Sequence, residues 1–252
     1  NRPEDLADAA RRLGMRAIAL TDHGNLFGAI DFYKAAYARA VKPIIGCELY
    51  VAPGPMAEKV ARPDKFERGF HLTLLATSAD GYRNLVKLSS AGYLEGFYYN
   101  PRVDDEILAA HSEGLVALSG CLSGEAPKRF LAGDTDGAIA ALRKYRDIFG
   151  PGNFFVELQD HGLVEQKRLL PFLLERARED DLPTVATNDV HYLKAGDDRA
   201  HDALLCIGTR ALLSDTNRKR YSSDQFYLKS PDEMARLFAA VPDAVKRTVE
   251  IA

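Results

Sequence analysis

Several short apolar runs of the chain end in residues whose side chains bind metal ions. Four such runs lead into the strings Thr21-Asp22-His23-Gly24-Asn25, Cys47-Glu48, Gly120-Cys121-Leu122-Ser123-Gly124 and Asn188-Asp189-Val190-His191. Imidazole, thiolate and carboxylate groups together suit Zn²⁺, and Mn²⁺ or Fe²⁺ tolerates most of the set. The residue types therefore predict a metal site built from several separate segments.

The same residues suit the hydrolysis of phosphoesters. Glu48 can bridge two ions, and paired ions activate water and stabilise the attacking and leaving oxygens of a phosphoester. Asp189 and His191 lie two residues apart, so on an extended segment both would face the same side. His71 opens its apolar run instead of following it, and its side chain can still point inward.

Each candidate also has a structural interpretation. A single histidine after a strand is more often a hydrogen-bonded structural residue than a ligand. Cys47 alternates with Glu48, so we expect it to pack toward the helices as a small apolar residue. His161, at a strand end, is a candidate for supporting a ligand or contacting substrate. Arg102, near Tyr98-Tyr99, is a candidate phosphate contact, with loop packing as the favoured alternative.

Short apolar runs alternate with longer runs of helical periodicity. Six strands are predicted, over Ala17–Thr21, Pro43–Val51, His71–Ala76, Gly114–Ser119, Phe154–Leu158 and Pro183–Thr187. Such alternation implies parallel strands joined by right-handed crossovers, with reactive groups at the C-terminal strand ends. No glycine-rich phosphate loop follows the first strand. We therefore predict an α/β fold and a closed or nearly closed barrel, in preference to a doubly wound sheet.

Longer helices are predicted over about 27–40, 80–92, 134–149 and 164–181, and three shorter helices near the end of the chain. A turn-rich stretch should follow Ser119. Ser230-Pro231-Asp232-Glu233 has the pattern of a capping box with proline at the first helical position. Gly54–Arg68 is predicted to be a surface loop. No linker or repeat is apparent, so 1–252 is predicted to form one domain, with C-terminal helices over about 205–252.

Composition limits the classes of function. Lys and Arg total 33 against 36 Asp and Glu, a net charge of −3. This balance argues against a basic nucleic-acid-binding surface, although it permits a nucleic-acid substrate that is bound through metal ions. The three cysteines form no CxxC pair, which fits a reducing compartment. No signal peptide or long apolar run is apparent, so we predict a cytoplasmic protein without membrane contact.

Several strings closely resemble the PHP (polymerase and histidinol phosphatase) domain family. They are Thr21-Asp22-His23-Gly24-Asn25, Ile45-Gly46-Cys47-Glu48, Ser119-Gly120-Cys121-Leu122-Ser123-Gly124 and Thr187-Asn188-Asp189-Val190-His191-Tyr192. The strings Gly96-Phe97-Tyr98-Tyr99, Glu157-Leu158-Gln159-Asp160-His161-Gly162 and Asp224-Gln225-Phe226-Tyr227-Leu228-Lys229-Ser230-Pro231 resemble the branch at the N-terminus of bacterial DNA polymerase III α subunits. The resemblance covers essentially the whole chain. It implies a distorted (β/α)₇ TIM-like barrel with up to three metal ions, often zinc, with manganese as an alternative.

Carried over position by position, the resemblance implies six metal ligands: His23, Glu48, His71, Cys121, Asp189 and His191. Glu48 would be the bridging carboxylate, and Glu48, Asp189 and His191 the catalytic residues. Asp22 and Asn25 would orient His23, and Asn188 joins His161 and Arg102 as a supporting or substrate-contacting candidate. The family's first strand, with an H-x-H motif, and a following Asp are not in this sequence. We therefore expect a partial cluster, most complete around Glu48, and a chain that begins inside a longer product.

The leading hypothesis is a metal-dependent phosphoesterase site with 3′–5′ exonuclease activity, in a polymerase subunit whose palm domain is not in this sequence. The resemblance implies three partners: a DNA 3′ end (single-stranded or a primer terminus), the remaining polymerase domains and a proofreading exonuclease subunit. One alternative is a non-catalytic scaffold that a metal stabilises and that docks the proofreading exonuclease. Another is a free-standing phosphatase of the histidinol-phosphate type.

Overall fold

The computed structural model describes residues 1–62 and 66–252. Within these ranges, helices α1 to α10 are Pro3–Arg12, Ala29–Tyr37, Ala79–Leu94, Asp105–Ala110, Glu125–Leu131, Thr135–Phe149, Val164–Glu179, Asp198–Thr209, Pro231–Leu237 and Pro242–Ile251. Strands β1 to β7 are Ala17–Leu20, Lys42–Val51, Phe70–Ala76, Arg102–Val103, Leu115–Leu118, Phe154–Leu158 and Thr184–Ala186. The predicted loop over 54–68 contains a short 3₁₀ turn at Phe66–Arg68, and its residues 63–65 lie outside the described ranges.

The strands form one curled α/β sheet, a distorted form of the TIM-like barrel. Their order is β1-β2-β3-β5-β6-β7, and β4 pairs with β2. The pairs β1–β2, β5–β6 and β6–β7 are parallel, as predicted. Over the described residues the path begins at β1 and ends at β7 without closing, so the sheet is a half-barrel.

Strand β3 runs antiparallel to both of its neighbours, β2 and β5. The prediction that all strands are parallel is therefore wrong at β3. Because of this reversal, the N-terminal end of β3 lies at the same edge of the sheet as the C-terminal ends of the parallel strands. We call this edge the site edge. The reversed direction of β3 explains why His71, at the start of its strand, can meet residues that lie at the ends of the other strands.

The alternation of side chains along β2 and β3 separates the core from the site. Cys47, Leu49, Leu72 and Leu74 are buried in the main hydrophobic core, as predicted for Cys47. Glu48 lies between two of these residues and points to the opposite face, because successive side chains of a strand alternate. The same core includes residues of the C-terminal helices, among them Phe238.

Some short elements escaped prediction, whereas one cap was predicted correctly. Strand β4 and helix α4 lie in a segment without a predicted element, and α5 lies in the predicted turn-rich stretch after Ser119. Asp104 begins α4 by accepting a hydrogen bond from the Ile107 amide at 3.1 Å. The predicted capping box is confirmed, with reciprocal hydrogen bonds between Ser230 and Glu233. Over the described residues, no helix has the length and apolarity needed to cross a membrane.

Gly46 is a position at which the close approach of β2 and β3 can be tested. A Cβ at Gly46 would lie 2.5 Å from the Leu74 carbonyl oxygen. We expect Gly46→Ala to lower the free energy of unfolding by about 1–3 kcal/mol, because backbone must move to relieve this overlap. Urea unfolding would measure the change.

The matched control is Gly208→Ala in α8, where an added Cβ meets no atom within 4 Å. This variant should be neutral or more stable, by up to about 1 kcal/mol, because alanine favours helix. Equal stabilities of the two variants would contradict the proposed constraint at Gly46.

Candidate metal centre

Three donor atoms from separate segments meet at the site edge. The Oε1 atom of Glu48 is in short contact with Nδ1 of His71 and lies 3.7 Å from Sγ of Cys121. The Cys121 sulfur lies 3.6 Å from the same His71 nitrogen. Ligands of one tetrahedral zinc ion are roughly 3.3–3.7 Å apart, given typical bond lengths of about 2.0–2.3 Å. The two sulfur separations are therefore suited to a shared ion.

His23 approaches the other oxygen of the same carboxylate. Its Nδ1 atom lies 3.1 Å from Oε2 of Glu48, and its side chain is 48% exposed. Ligand atoms of His23, Glu48 and His71 all lie within 4.8 Å of one another. Both oxygens of Glu48 thus face an imidazole, which is the arrangement that a bridging carboxylate requires. The group is suited to hold metal.

Glu48 is buried, and its neighbours stabilise its charge. Burial opposes ionisation of this carboxyl, but hydrogen bonds with His23 and His71 and their charges outweigh burial and lower its pKa. The hydrogen bond with Glu48 in turn raises the pKa of His23. An ionised carboxylate offers only acceptor atoms, so Glu48 is prepared to bind a cation.

The Cys121 thiol, in contrast to Glu48, favours its neutral, protonated form. Burial, with help from the charges of Glu48 and Asp189, raises its pKa well above the usual value for cysteine. The thiolate, not the thiol, is the metal ligand, and a cation releases this proton on binding. The donor set therefore fits a divalent metal ion, whose positive charge would stabilise both the thiolate and the two carboxylates.

Asp189 and His191 converge, but by another route than predicted. The His191 Nε2 atom lies 3.4 Å from Asp189 Oδ1, and the His191 ring centre lies 6.4 Å from that of His23. Strand β7 ends at Ala186, and Asp189 has a left-handed φ of 47°. The predicted extended segment is therefore wrong. A turn, which aspartate tolerates better than most residues, brings the two side chains together.

His161 is buried and hydrogen-bonded, an environment that favours the supporting role over the substrate contact. The side chain of His161 is 1% exposed. The Gln166 amide donates a hydrogen bond to Nδ1, and Nε2 donates to the Asn188 carbonyl, each at 2.8 Å. Burial lowers the pKa of His161, which favours this neutral tautomer. His161 thus fixes the backbone immediately before Asp189.

Asn188 has hydrogen-bond partners in the C-terminal segment. Its side-chain amide donates a 2.6 Å hydrogen bond to the Tyr227 carbonyl and accepts one from the Lys229 ammonium group. These bonds favour a supporting role for Asn188 over a substrate contact. Asn188 joins the end of β7 to the segment before α9.

Arg102 is buried in the loop region, as the favoured alternative predicted. Its guanidinium donates hydrogen bonds to four backbone carbonyls, those of Gly96, Glu67, Met56 and Glu58. Only 1% of Arg102 is exposed. Because these loops use the donors of Arg102, the structure favours loop packing over a phosphate contact.

Asp22 and Asn25 act on His23 through the backbone. The Asn25 amide donates to the His23 carbonyl at 2.9 Å. The Asp22 carbonyl accepts from the Glu48 amide at 3.0 Å and so joins the two ligand-bearing segments. Burial raises the pKa of the Asp22 carboxyl. Over the described residues, neither side chain hydrogen-bonds the His23 ring, which differs from the predicted orienting role.

The sequence analysis missed Glu157, which lies beneath the candidate ligands. Its carboxylate accepts hydrogen bonds from the Gly120 amide at 3.0 Å and the Thr187 hydroxyl at 2.5 Å. It therefore joins the loop of Cys121 to the segment of Asp189. The available signal was an acidic residue in the otherwise apolar run of β6.

Two tyrosines near the ligands were also missed. The Tyr50 ring centre lies 5.1 Å from that of His71, and period-two alternation from Glu48 could have indicated this position. The Tyr221 hydroxyl lies 3.2 Å from Nε2 of His191. Tyr221 follows no predicted strand, and nothing in the local sequence pattern identified it.

Comparison with known proteins identifies the family of the chain. The family model described as "PHP domain" matches residues 1–161. This chain belongs to the PHP domain family. The chain is 51% identical over 252 residues to DNA polymerase III subunit alpha of Treponema pallidum, and the match covers 98% of this chain and 21% of that protein. It is 50% identical over 243 residues to DNA polymerase III subunit alpha of Thermus aquaticus, covering 94% and 20%.

This PHP domain thus spans about a fifth of the length of these curated relatives. Among solved structures it resembles a Bifidobacterium adolescentis protein provisionally named a metal-dependent phosphoesterase, at 14% identity and a TM-score of 0.42. That match covers 94% of this chain and 91% of the other. The likeness is too distant to bear on the activity of the domain.

The pH dependence of stability tests the environment of Glu157. Burial raises the pKa of its carboxyl from 4.5 to about 7. The folded state therefore holds this proton more tightly than the unfolded state does. The resulting contribution to stability is complete below pH 4.5 and is lost as the pH rises through 7. Glu157→Gln removes this titration, so its stability relative to wild type should rise by about 3 kcal/mol between pH 4.5 and pH 8.

Urea unfolding at several pH values, in the presence of a chelator, would measure this difference. The exposed Glu165 provides a matched control, because Glu165→Gln removes a carboxyl that is not buried. A constant difference between Glu157→Gln and wild type across this pH range would contradict the prediction.

Proposed function

We propose that this PHP domain is a metal-dependent phosphoesterase that removes nucleotides from the 3′ end of DNA. The proposed ligands are His23, Glu48, His71, Cys121, Asp189 and His191, and the proposed metal is zinc, with manganese as an alternative. The observation that carries the proposal is the convergence of Glu48, His71 and Cys121 donor atoms at separations of 3.6 and 3.7 Å. Imidazole, thiolate and carboxylate donors from three separate segments at these separations fit the coordination of one ion.

A bound metal ion would supply Lewis-acid stabilisation of a phosphoester oxygen and activation of water. Glu48 would hold two positions together, because each of its oxygens faces a different imidazole. The ring centre of His191 lies 6.4 Å from that of His23, and the side chains of Asp189 and His191 are partly exposed. As proposed ligands, both residues would hold metal, and their catalytic role would be to position it beside the phosphoester.

The wider assignment follows from the relatives. They are DNA polymerase III α subunits, so we propose that residues 1–252 form one domain of such a subunit in the cytoplasm. The proposed partners are a DNA 3′ end, the other domains of the same subunit and a proofreading exonuclease subunit. The net charge of −3 favours metal ions over a basic surface as the means of holding DNA.

Cys121→Ala tests the ligand assignment. The variant should lose at least one metal ion per chain, because the thiolate is one of three donors at its position. Hydrolysis of a single-stranded oligonucleotide should fall by a factor on the order of 100. Plasma mass spectrometry and release of 3′ nucleotides would measure the two effects. The full natural protein is the appropriate sample, since its relatives are much longer than this chain.

Cys206→Ala is the matched control, because Cys206 is also a free cysteine but is buried in α8. It should keep its metal and its nuclease activity. Unchanged metal content in Cys121→Ala would refute the ligand assignment. If a chelator lowered the melting temperature and no variant or treatment affected a nuclease rate, the domain would be a metal-stabilised scaffold. Turnover of small phosphomonoesters without DNA cleavage would indicate a phosphatase.

A further inference from the structure

The segment between α8 and α9 passes beside the candidate metal centre. Residues 211–226 contain no helix or strand. We call residues 215–223 the strap. Near its middle, the Arg218 guanidinium binds both oxygens of Asp202 at 2.5 and 2.7 Å. Near its end, the Ser223 hydroxyl donates a 2.6 Å hydrogen bond to the His161 carbonyl. The strap is therefore anchored at Arg218 and at Ser223, with residues 219–222 between the two anchors.

Tyr221 lies between the two anchors and points toward the ligands. Its ring packs against Phe226 and His201, with ring centres 4.6 and 5.2 Å apart. Its hydroxyl lies 3.2 Å from Nε2 of His191. Tyr221 therefore presents a hydroxyl beside His191, at the edge of the candidate ligand set.

The strap also carries basic residues. It has three consecutive cations, Arg218, Lys219 and Arg220. Arg218 is used by Asp202, whereas Lys219 and Arg220 are exposed. Lys219 lies two residues before Tyr221, so an exposed cation is close along the chain to the hydroxyl that contacts His191.

We propose that the strap is the substrate-facing wall of the metal centre and binds a phosphate group of the substrate. The Tyr221 hydroxyl would lose His191 Nε2 as its partner once that nitrogen held a metal ion, and it then donates a hydrogen bond to a non-bridging phosphate oxygen, while Lys219 neutralises part of the phosphate charge. The inference rests on the proposed phosphoesterase function and adds the residues that select a phosphate. Metal ligands occupy one side of the pocket, so the phosphate needs donors on the other side, and charge-assisted donors bind phosphate oxygens best.

Tyr221→Phe and Lys219→Ala test this assignment in the full natural protein. The first removes only a hydroxyl and keeps the ring packing, and the second truncates an exposed side chain. Inorganic phosphate is titrated into metal-loaded protein by calorimetry. We expect each variant to weaken phosphate binding about 10-fold, the effect of one lost charge-assisted hydrogen bond or ion contact. Metal content should stay at the wild-type value, and KM for a single-stranded oligonucleotide should rise more than kcat falls.

Tyr37→Phe and Lys246→Ala are matched controls, because both residues are exposed and neither lies in the strap. Phosphate affinity within twofold of wild type in both strap variants would overturn the inference, as would wild-type protein that binds no phosphate. Loss of metal in Tyr221→Phe would also overturn it, because the hydroxyl would then serve His191. Absence of DNA hydrolysis in wild type would refute the proposed function instead, while the phosphate titration would still decide the role of the strap.

Discussion

The site depends on one buried carboxylate. Glu48 sits within a strand, between residues of the main core, where an isolated charge would cost several kcal/mol. His23 and His71 offset this cost by binding one oxygen each. Every other candidate ligand is arranged around this pair of contacts. A neutral residue at position 48 would remove the carboxylate that holds the two imidazoles on either side of β2.

The direction of β3 is what allows this arrangement. In an all-parallel sheet, the first residue of a strand lies at the edge opposite to the last residues of its neighbours. The reversed β3 brings His71 level with Tyr50 of β2 and next to Gly124 of the Cys121 loop. The antiparallel strand β3 therefore brings the candidate ligand His71 to the site, whereas an all-parallel barrel would have placed it far away.

The sequence predicted much of this structure, because hydrophobic periodicity records burial. All six predicted strands exist, and alternation correctly separated Cys47 from Glu48. Periodicity does not record strand direction, so β3 was assigned wrongly. Nor does it record which hydrogen-bond partners a polar residue will find, so it left both a supporting role and a substrate contact open for Arg102 and His161. Tyr221 escaped notice because tertiary contacts alone bring its irregular segment to the site.

The wide spacing of the candidate ligands along the chain also bears on how the protein folds. Glu48, His71 and Cys121 belong to neighbouring strands and can meet once β2, β3 and β5 have paired. Asp189, His191 and Tyr221 join only after two more strands and a long irregular segment have docked. During synthesis from the ribosome, the growing chain would therefore hold a partial cation-binding pocket well before a complete one. Loop-closure entropy makes the late contacts the slowest to form, so the full set of candidate ligands would assemble only at the end of folding.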